Sequence, residues 1–586
     1  MSQLTKLKSA ITLHDVAALL GYKASKLSFV LFKKPSTNKY TKFFIQKKYG
    51  GTREICAPQP DLKLLQSRLS VVLQNCVEEI NKLHCFDDKI SHGFKRKRSI
   101  ITNAKEHRNR KYVFNIDLTN FFGSINFGRV RGFLMKDKYF LIHKDVATII
   151  AQIACYENVL PQGSPCSPVI SNLIGHVLDI HLVRLASKCG CTYSRYADDL
   201  TFSTNKQDFP TSIAKRIDSD GHIWEPGREL ERLIKKSGFE INPIKTRMQY
   251  HDSRQEVTGL IVNRKVNVRS EYRHTVRAMV HSLLNKGSFE FVNRIVDEKG
   301  IVTINKINGS VDQLHGMLGF IDGVDLYNKK VIYKSKNSKI QPVLTSKETM
   351  YRRFLLFKEF YNAALPTIIC EGKTDNVYIL HAIRNLVDKY PQLATKSADG
   401  KINLGVRIYK YTGTSTGRIL GINGGAPELT KFVRQYHHEI KKFKAPGGLQ
   451  PIILLVDNDS GATVKGGVYN AVYDITKQEV LGTEPFVHII SNLYLVATPL
   501  EVGVKESMIE DFFDEDIKST IFGGKKFNQK NDFDNETHYG KHVFAQKVVK
   551  VHAEKIDFSR FNGILTNIAS VIEAHSKKYS VIKSTL

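Results

Sequence analysis

The sequence predicts a multidomain protein that combines an α+β part with an α/β part. Its 586 residues exceed the length of one ordinary domain, and a hydrophobic content of 42% is enough to bury more than one core. The first half mixes helical periodicity with strand-like runs, including an alternating hairpin pattern over residues 192–204. A new α/β pattern begins at PTIIC and continues at PIILLV, and acidic residues follow both buried runs.

The net charge predicts a polyanionic partner. The chain has 87 Lys and Arg against 57 Asp and Glu, a formal net charge of +30. A surplus this large is typical of proteins that bind nucleic acid. Residues 93–112, GFKRKRSIITNAKEHRNRKY, form the densest basic run, and residues 265–320 are basic and mostly helical in pattern. We expect both regions to contact nucleic-acid phosphates.

Cysteine usage and hydropathy predict a cytoplasmic protein with no membrane partner. None of the eight cysteines forms a C-x-x-C pair, which argues against a zinc ribbon and a disulfide framework. The N-terminus lacks an apolar core bounded by a cleavage site, and no run reaches the roughly 18–20 apolar residues of a membrane span.

Local sequence patterns predict the structure of two further segments. Residues 1 to about 90 combine helices with a strand pair, in which Gly50-Gly51 predicts a hairpin turn. Residues 327–350, YNKKVIYKSKNSKIQPVLTSKETM, are polar, basic and weakly periodic, which indicates a linker.

Three aspartates in the first half predict a metal site. Asp117 ends the strand-like run YVFNID, and Asp198 and Asp199 lie at the tip of the hairpin that contains YADD. Neighbouring carboxylates repel each other, and oxygen ligands suit Mg²⁺. Two Mg²⁺ ions roughly 3.5–4 Å apart can activate an attacking hydroxyl and stabilise a leaving pyrophosphate. The alternative for any single aspartate is a turn cap.

Five blocks in this half resemble the palm motifs of reverse transcriptases, in the same order: NIDLTNFF, LPQGSPCSPVISNL, YADD, GFEINPIKTRM and VTGLIVN. NAKEH (Asn103–His107) and VTGL (Val257–Leu260) are similar to elements of retron reverse transcriptases in particular. The resemblance covers roughly residues 1–320. It implies a right-hand fold of fingers, palm and thumb, with Asp117, Asp198 and Asp199 as the metal ligands.

The same resemblance implies roles for residues around the incoming nucleotide. Phe122 matches the bulky side chain that blocks a ribose 2′-hydroxyl, and core packing is its alternative role. Gln162 matches a residue that lines the nucleotide, and Gly163 beside it permits close approach of a substrate to the backbone. Lys245 and Arg53 are expected near the triphosphate, although each can equally be a solvated surface residue. His107 is expected to be structural.

A second acidic set follows the buried strands of the second half. Glu371 follows TIIC, and Asp457 and Asp459 follow PIILLV at a spacing that places both on one face of an extended segment. The set resembles a Toprim domain over about residues 365–530, and Asp375 matches an acid of the overcoming-lysogenization-defect type of Toprim nuclease.

Two features of this region leave alternatives open. Gly461 stands where a third acid is often found, and Glu510 or Asp511 is then the candidate to complete a Mg²⁺ or Mn²⁺ site. A Rossmann-like structural domain with capping acids is the other reading of these residues. The run YTGTSTGRILGINGGAPEL can cradle phosphate, or it can be a flexible loop.

Together the resemblances imply a domain order. Fingers and palm are expected over residues 1–255, an RNA-binding thumb over 256–325, a linker over 326–362, a Toprim domain over 363–530 and a basic C-terminal extension over 531–586.

The implied function is that of a retron reverse transcriptase. Such an enzyme uses dNTPs and a structured noncoding RNA as template and primer, starts from a guanosine 2′-hydroxyl and makes branched RNA-linked msDNA. The Toprim module is expected to be a nuclease effector against a target nucleic acid in anti-phage defence, held inactive by the msDNA complex. Homo-oligomers are compatible with this reading. Another class of bacterial reverse transcriptase and a catalytically inactive Toprim scaffold are the alternatives.

Overall fold

The computed structural model describes residues 2–46, 51–86, 89–218, 223–296, 302–336, 343–529 and 534–584. The chain divides into two compact units. The first comprises Met1–Arg273, Val292–Asn305 and Val324–Ser338. The second comprises His274–Phe291, Lys306–Gly323 and Lys339–Leu586.

The first unit contains helices and short antiparallel sheets. Its helices are α1 (Gln3–Ser9), α2 (Leu13–Leu19), α3 (Ala24–Ser28), α4 (Pro60–Leu83), α5 (Ile100–Glu106), α6 (Phe127–Lys136), α7 (Lys144–Ala154), α8 (Ser167–Cys189) and α9 (Arg228–Lys236). Its strands are β1 (Tyr40–Gln46), β2 (Thr52–Pro58), β3 (Tyr112–Leu118), β4 (Thr192–Tyr196), β5 (Asp199–Thr204), β6 (Ala214–Arg216), β7 (Trp224–Pro226), β8 (Ile241–Tyr250), β9 (Glu256–Val257) and β10 (Leu260–Ile261). The boundaries between the units fall within α10 (Ser270–Lys286), β11 (Glu290–Val296), β12 (Val302–Asn308) and α11 (Val311–Lys336).

A four-stranded antiparallel sheet forms the centre of the first unit, in the order β4-β5-β3-β8. Strand β3 lies between two neighbours because its side chains, such as Val113, Phe114 and Ile116, are apolar and fully buried. The hairpin predicted over residues 192–204 is present as β4 and β5. Its two strands place the YADD sequence at one end of the sheet.

The strand pair expected near the N-terminus is also present. Strands β1 and β2 pair antiparallel from Tyr40 with Pro58 to Gln46 with Thr52. Gly51 lies just before β2, whereas Gly50 of the predicted turn is outside the described residues.

Helix α8 is the one helix of the described part of the chain that is long and apolar enough to cross a bilayer. Its apolar window is 67% buried within the protein. Ile174, Leu178 and Leu182 belong to the core of the first unit. The apolar composition of α8 is therefore explained by its packing in this core.

The second unit is built around a mostly parallel sheet. Its helices are α12 (Ser346–Leu356), α13 (Asp375–Asn385), α14 (Ser415–Leu420), α15 (Ala426–Ile440), α16 (Ser460–Thr463), α17 (Val468–Thr476), α18 (Glu515–Lys518), α19 (Lys541–Val543), α20 (Lys550–His552) and α21 (Asn562–Ser584). Its strands are β13 (Thr367–Cys370), β14 (Ala394–Lys396), β15 (Ile402–Leu404), β16 (Arg407–Ile408), β17 (Ile452–Val456), β18 (Val487–Ile490), β19 (Leu493–Ala497), β20 (Lys526–Phe527) and β21 (His538–Tyr539).

The central sheet of this unit has the order β16-β13-β17-β19-β18. The first four strands are parallel, and β18 is antiparallel to β19. Strands β13 and β17 are buried along their whole length, as the continuous apolar runs TIIC and IILLV predict. The carboxyl ends of parallel strands are the usual place for a ligand site in such a sheet.

The structure differs from the sequence expectation in two internal segments and at the C-terminal end. The segment expected to be a linker contains the end of α11 and the whole of α12, and Phe354, Leu355 and Leu356 of α12 are fully buried. The region 265–320 is interrupted by strands β11 and β12. In segments such as α12, the few apolar residues are spread among polar and basic ones, so the sequence pattern does not indicate that they are buried. Tertiary packing decides whether they are.

The C-terminal segment expected to be a basic extension is part of the core of the second unit. Phe561, Ile564, Leu565 and Ile568 pack in the same cluster as residues of β13 and β17. The lysines of this segment lie before and after these apolar positions, so its composition alone indicates a basic tail.

Candidate active sites

The first site lies where β3 and β5 meet. Asp117 on β3 is paired in register with Asp199 on β5. Asp198 precedes Asp199 in the turn between β4 and β5, and its carbonyl accepts a hydrogen bond of 3.1 Å from the amide of Leu118. The sheet therefore brings together the three aspartates that the sequence predicts to be neighbours.

The three carboxylates oppose each other's ionisation. The pKa of Asp198 is raised by burial and by the charge of Asp117. Asp199 keeps contact with solvent, but the surrounding protein displaces much of its water and, with the charges of Asp198 and Asp117, raises its pKa to about 7. The site carries more negative charge than its own side chains offset.

Lys245 on β8 is the direct cationic partner of this site. Its Nζ lies 2.8 Å from Oδ2 of Asp117, and this hydrogen bond raises the pKa of Lys245. Asn242 donates to the other carboxylate oxygen of Asp117 at 3.3 Å. The charge of Arg53 also lowers the pKa of Asp198, although the Arg53 side chain is exposed on β2.

The other residues predicted to line the nucleotide have the following local contacts. Phe122 is half-buried, and its ring lies 6.3 Å from that of Phe94. The backbone carbonyl of Gln162 accepts a hydrogen bond of 2.8 Å from the amide of Cys56 on β2. A side chain at Gly163 would place its Cβ 2.8 Å from the Cys56 carbonyl, so the close approach at Gly163 is to β2. The expectation that a substrate also approaches the backbone here stays a prediction.

His107 lies inside the first unit, as expected for a structural residue. Its two ring nitrogens are each 2.7 Å from a serine hydroxyl, those of Ser203 and Ser194. Burial lowers its pKa to about 3, so the ring is neutral at physiological pH.

The second site lies at the carboxyl ends of β13 and β17. Glu371 follows β13, and its Oε2 accepts a hydrogen bond of 3.3 Å from the amide of Asp457, which follows β17. Oδ1 of Asp457 accepts a bond of 2.9 Å from the amide of Ile509. This bond fixes the segment that contains Glu510 beside the strand ends.

Glu510, rather than Asp511, joins this acidic group. Glu510 is fully buried, and its charge is one of the causes that raise the pKa of Asp457. Asp511 instead accepts bonds from the Met508 amide at 2.7 Å and from the Gln529 side chain at 3.0 Å. Sequence alone left the choice between these neighbours open.

Two predicted acids of this site are engaged with backbone amides. Asp459 caps α16 by accepting bonds from Gly461 at 2.9 Å and from Ala462 at 3.2 Å. Asp375, at the start of α13, accepts a bond of 2.6 Å from Gly372. Gly461, where a third acid was considered, thus serves as part of the helix cap.

Burial and mutual repulsion raise the pKa values of this cluster. Burial, followed by the charges of Asp375 and Glu510, raises the pKa of Asp457 to about 8. Burial, followed by Asp459 and Asp375, raises that of Glu371 to about 7. Burial raises that of Glu510 to about 6, against the opposing charge of Lys541, whose Nζ lies 3.0 Å from Glu510 Oε2.

The donors at both sites suit a hard divalent cation. They are carboxylate oxygens, and a cation would relieve the repulsion that raises their pKa values. In the second site, Oε1 of Glu510 is buried without a hydrogen-bond partner. Within the described ranges, no three Asp, Glu, His or Cys side chains are yet close enough together to hold an ion.

Sequence reasoning missed two basic residues that pair with buried acids. Lys541 pairs with Glu510, and no motif around it indicates that role. Arg195 is fully buried and pairs with Asp179 of α8. Its signals are an acid within an apolar helix and an arginine on the inward-facing side of an alternating strand.

Residues 45–267 match the family model described as "Reverse transcriptase (RNA-dependent DNA polymerase)". The second acidic site lies beyond this match. The matched region contains β3, β5 and β8, and therefore the whole of the first site.

Curated relatives are retron reverse transcriptases. The chain is 32% identical to "Retron Mx162 reverse transcriptase" of Myxococcus xanthus, over 55% of this chain and 65% of the relative. It is 34% identical to "Retron Mx65 reverse transcriptase" of the same organism, over 46% of this chain and 62% of the relative. It is 28% identical to "Retron Ec86 reverse transcriptase" of Escherichia coli, over 56% of this chain and 89% of the relative. The chain thus spans less than two thirds of the length of the two Myxococcus relatives.

Solved telomerase structures align more loosely. One from Candida albicans, with a fragment of telomeric RNA, covers 55% of this chain and 60% of its own at 11% identity and a TM-score of 0.28. One from Candida tropicalis, also with telomeric RNA, covers 57% and 61% at 13% identity and the same TM-score. These scores carry no argument about this chain. Residues 45–267, which have mixed α/β content, are therefore similar to the reverse transcriptase family, and the chain is similar in sequence to retron reverse transcriptases.

Proposed function

We propose that the first unit is an RNA-directed DNA polymerase of the retron type. The observation that carries the proposal is the pairing of Asp117 with Asp199, with Asp198 in the adjoining turn, on a domain similar to retron reverse transcriptases. The substrates would be dNTPs and an RNA template.

Each residue around the site has a defined task in this proposal. Mg²⁺ ions held by Asp117, Asp198 and Asp199 would supply activation of the primer hydroxyl and stabilisation of the leaving pyrophosphate. Lys245 is protonated at neutral pH, because Asp117 raises its pKa, and can hold a proton near the triphosphate. Phe122 excludes a ribose 2′-hydroxyl by its bulk, and Arg53 and Gln162 contact the incoming nucleotide.

The retron assignment adds a specific template and product. The noncoding RNA would serve as template and primer, and synthesis from a guanosine 2′-hydroxyl would give branched msDNA. Sequence similarity to the retron relatives supports this, as does the basic run of residues 93–112. The complex would act in the cytoplasm, as a monomer or a homo-oligomer.

The test is to express the protein with its neighbouring noncoding RNA and to sequence the nucleic acid that co-purifies. A branched RNA–DNA molecule is the expected result. The double variant Asp198→Asn with Asp199→Asn should yield RNA alone. DNA synthesis that persists in this variant would refute the site assignment, and linear DNA from the wild type would favour another class of bacterial reverse transcriptase.

We propose for the second unit a metal-dependent phosphodiester hydrolysis of the Toprim type. The specific observation in its favour is the buried, unpartnered Oε1 of Glu510 beside Glu371 and Asp457 at the carboxyl ends of parallel strands. Mg²⁺ or Mn²⁺ bound there would supply an activated water for attack on a phosphodiester. Asp375 and Asp459 lie in the same cluster and would complete the ligand set.

In a retron this nuclease would be the effector of anti-phage defence. The msDNA complex would hold it inactive, and damage to that complex would release it against a target nucleic acid. The alternative is a second unit that serves only as an assembly scaffold, consistent with Asp459 and Asp375 being engaged in helix-terminal hydrogen bonds.

Incubation of the purified protein with plasmid DNA or with RNA, in Mg²⁺ or Mn²⁺, separates these two functions. Glu371→Gln should abolish cleavage and leave DNA synthesis intact, whereas Asp511→Asn is the matched control, because Asp511 caps the adjacent turn. Cleavage that survives Glu371→Gln would contradict the proposed site. Absence of cleavage in the wild type with either metal, after removal of the msDNA, would favour the scaffold.

A further inference from the structure

The turn that carries the polymerase aspartates has an unusual backbone. Strand β4 ends at Tyr196 and β5 begins at Asp199, so Ala197 and Asp198 form a two-residue turn. Ala197 has a φ of 56°, a left-handed conformation that a residue with a Cβ adopts at a cost. Something outside the turn must hold it in this form.

A buried arginine contacts this turn directly. Nη1 of Arg195 donates to the carbonyl oxygen of Ala197 at 3.2 Å. Arg195 is completely buried, and Asp179 of α8, 4% exposed, holds it with two hydrogen bonds of 2.8 Å, from Nε to Oδ1 and from Nη2 to Oδ2. This two-point geometry fixes the guanidinium plane more tightly than a single contact can.

A second set of contacts reaches the same turn from α8. Nη1 of Arg195 also donates to Oδ1 of Asn172 at 3.1 Å, and Nδ2 of Asn172 donates to the carbonyl of Gly93 at 2.7 Å. Gly93 lies against the turn so closely that a Cβ there would come within 2.6 Å of the Ala197 amide nitrogen. Helix α8 therefore supports the turn in two ways, because Asp179 and Asn172 hold Arg195 of β4 and Asn172 also holds Gly93.

Helix α8 also leaves room for the guanidinium. Gly175 lies one turn before Asp179, and a Cβ at this position would meet the Cζ of Arg195 at 2.8 Å. Tyr193 donates to Oδ1 of Asp179 at 2.8 Å, so the carboxylate has a neutral donor besides the arginine. The helix thus supplies the charge partner and the space for one side chain of the hairpin.

We propose that Arg195, held by Asp179, is a positioning residue that fixes the backbone of the turn on which the proposed metal ligands Asp198 and Asp199 lie. This inference rests on the proposed polymerase function where the test measures kcat. Where the test measures Mn²⁺ affinity, it does not depend on that function. Arg195 touches neither substrate nor the reacting atoms in this proposal. It acts by holding the backbone of Ala197, the residue directly before Asp198 and Asp199.

The sharpest test is Gly175→Ala in the full-length protein, because one methyl group displaces the guanidinium without removing a charge. Gly132→Ala on α6 is the matched control, because a Cβ there has nothing within 4 Å. On a DNA-primed RNA template we expect kcat to fall roughly 10- to 100-fold in Gly175→Ala, with KM for dNTP nearly unchanged, since misplacement of catalytic groups by about 1 Å costs this much. Mn²⁺ binding, followed by electron paramagnetic resonance with Glu371→Gln and Asp457→Asn present in every protein so that the second acidic site does not contribute, should weaken in parallel. The control should match the wild type in both measurements.

Asp179→Asn is the second variant, because it keeps the shape of the side chain and removes the charge that orients Arg195. We expect the same fall in kcat and in Mn²⁺ affinity, with a melting curve that shows a folded protein. Wild-type kcat and Mn²⁺ affinity in a folded Gly175→Ala would overturn the proposal. If Gly175→Ala does not fold, the same result in Asp179→Asn would do so.

The two readouts separate this inference from the proposed function. If the wild type makes no DNA, the polymerase proposal fails, and the Mn²⁺ titrations alone decide the role of Arg195. If the wild type is active and both variants bind Mn²⁺ as it does, the polymerase proposal stands and the positioning role is wrong.

Discussion

At the scale of single residues, the molecule keeps like charges close together. Asp457 and Glu371 are half-buried beside other acids, and partial burial together with the neighbouring charges raises the pKa of both carboxyls. Such pKa shifts cluster at functional sites. The same residues that are expected to bind metal therefore destabilise the metal-free protein at neutral and alkaline pH.

Asp457→Asn should stabilise the metal-free second unit at pH 8. A carboxyl whose pKa rises from 3.8 to about 8 on folding holds its proton better in the folded state, so the unfolding free energy falls as pH rises through this window. We expect the melting temperature in EDTA to rise by about 2–4 °C, which corresponds to roughly 1 kcal/mol for a unit of this size. This rise in melting temperature should vanish near pH 4. At pH 8, Mg²⁺ should raise the melting temperature of the wild type.

Calorimetry at pH 4 and pH 8 checks this prediction. Asp511→Asn is the control, because Asp511 is hydrogen-bonded to Met508 and Gln529 and its replacement should not raise the melting temperature. A lower melting temperature of Asp457→Asn at pH 8 would show that its hydrogen bond to Ile509 outweighs the repulsion.

Phe122→Ala should relax sugar selection by the polymerase. The ring is half-buried beside β3 and packs against Phe94, so truncation opens space without exposing the main core. We expect the ratio of kcat/KM for a ribonucleotide to that for the matching deoxynucleotide to rise about tenfold or more. A single-nucleotide extension assay measures it, and an unchanged ratio with normal stability would leave Phe122 with only its packing role.

At the scale of elements, the loop between α7 and α8 contacts the β1–β2 strand pair. The amide of Cys56 on β2 binds the carbonyl of Gln162, and Gly163 next to it has a φ of 118°. Only glycine takes this φ easily, and only a missing side chain allows this contact. Local sequence marks Gly163 as permissive, but the partner it approaches is set by the packing of β2.

Gly163→Ala should therefore separate the Gln162 loop from β2. The new Cβ would meet the Cys56 carbonyl at 2.8 Å, and this backbone atom cannot move aside alone. We expect polymerase activity to fall about tenfold or more, with KM for dNTP raised, because Arg53 and Gln162 lose their relative position. Gly400→Ala, also at a positive φ but with open space, is the control for backbone strain. Equal activity of the two variants in a primer-extension assay would contradict this linkage.

At the scale of the whole molecule, the positive charge is the dominant property. With a net charge of +30, RNA affinity should fall steeply as salt rises, because each phosphate contact releases counterions. Basic residues of the 93–112 run are expected to account for part of this dependence.

Replacement of Lys95, Lys97 and Arg98 by Gln should lower the slope of log K against log salt. We expect a change of up to about 2 for the noncoding RNA, since each contact to a single strand contributes about 0.7. Filter binding between 50 and 200 mM salt, roughly the range over which such contacts are lost, measures the slope. The control replaces three exposed lysines elsewhere on the first unit, Lys188, Lys235 and Lys236. Equal slopes for the two triple variants would show that this run is not a phosphate contact.

The sequence by itself determined the parts of this protein that depend on local order. Apolar runs predicted the buried strands β3, β13 and β17, alternation predicted the β4–β5 hairpin, and motif order indicated the polymerase aspartates. Charge predicted the class of partner. These properties depend on neighbouring residues, which a linear pattern records.

Only the tertiary structure decided which distant residues meet. It selected Glu510 over Asp511, paired Arg195 with Asp179, and placed α12 and the C-terminal helix α21 in a core where composition indicated a linker and a basic tail. The physical reason is that burial and electrostatic partners are set by packing between elements far apart in the chain. A carboxylate, an arginine or a sparse apolar face has the same local sequence whether it is buried or exposed.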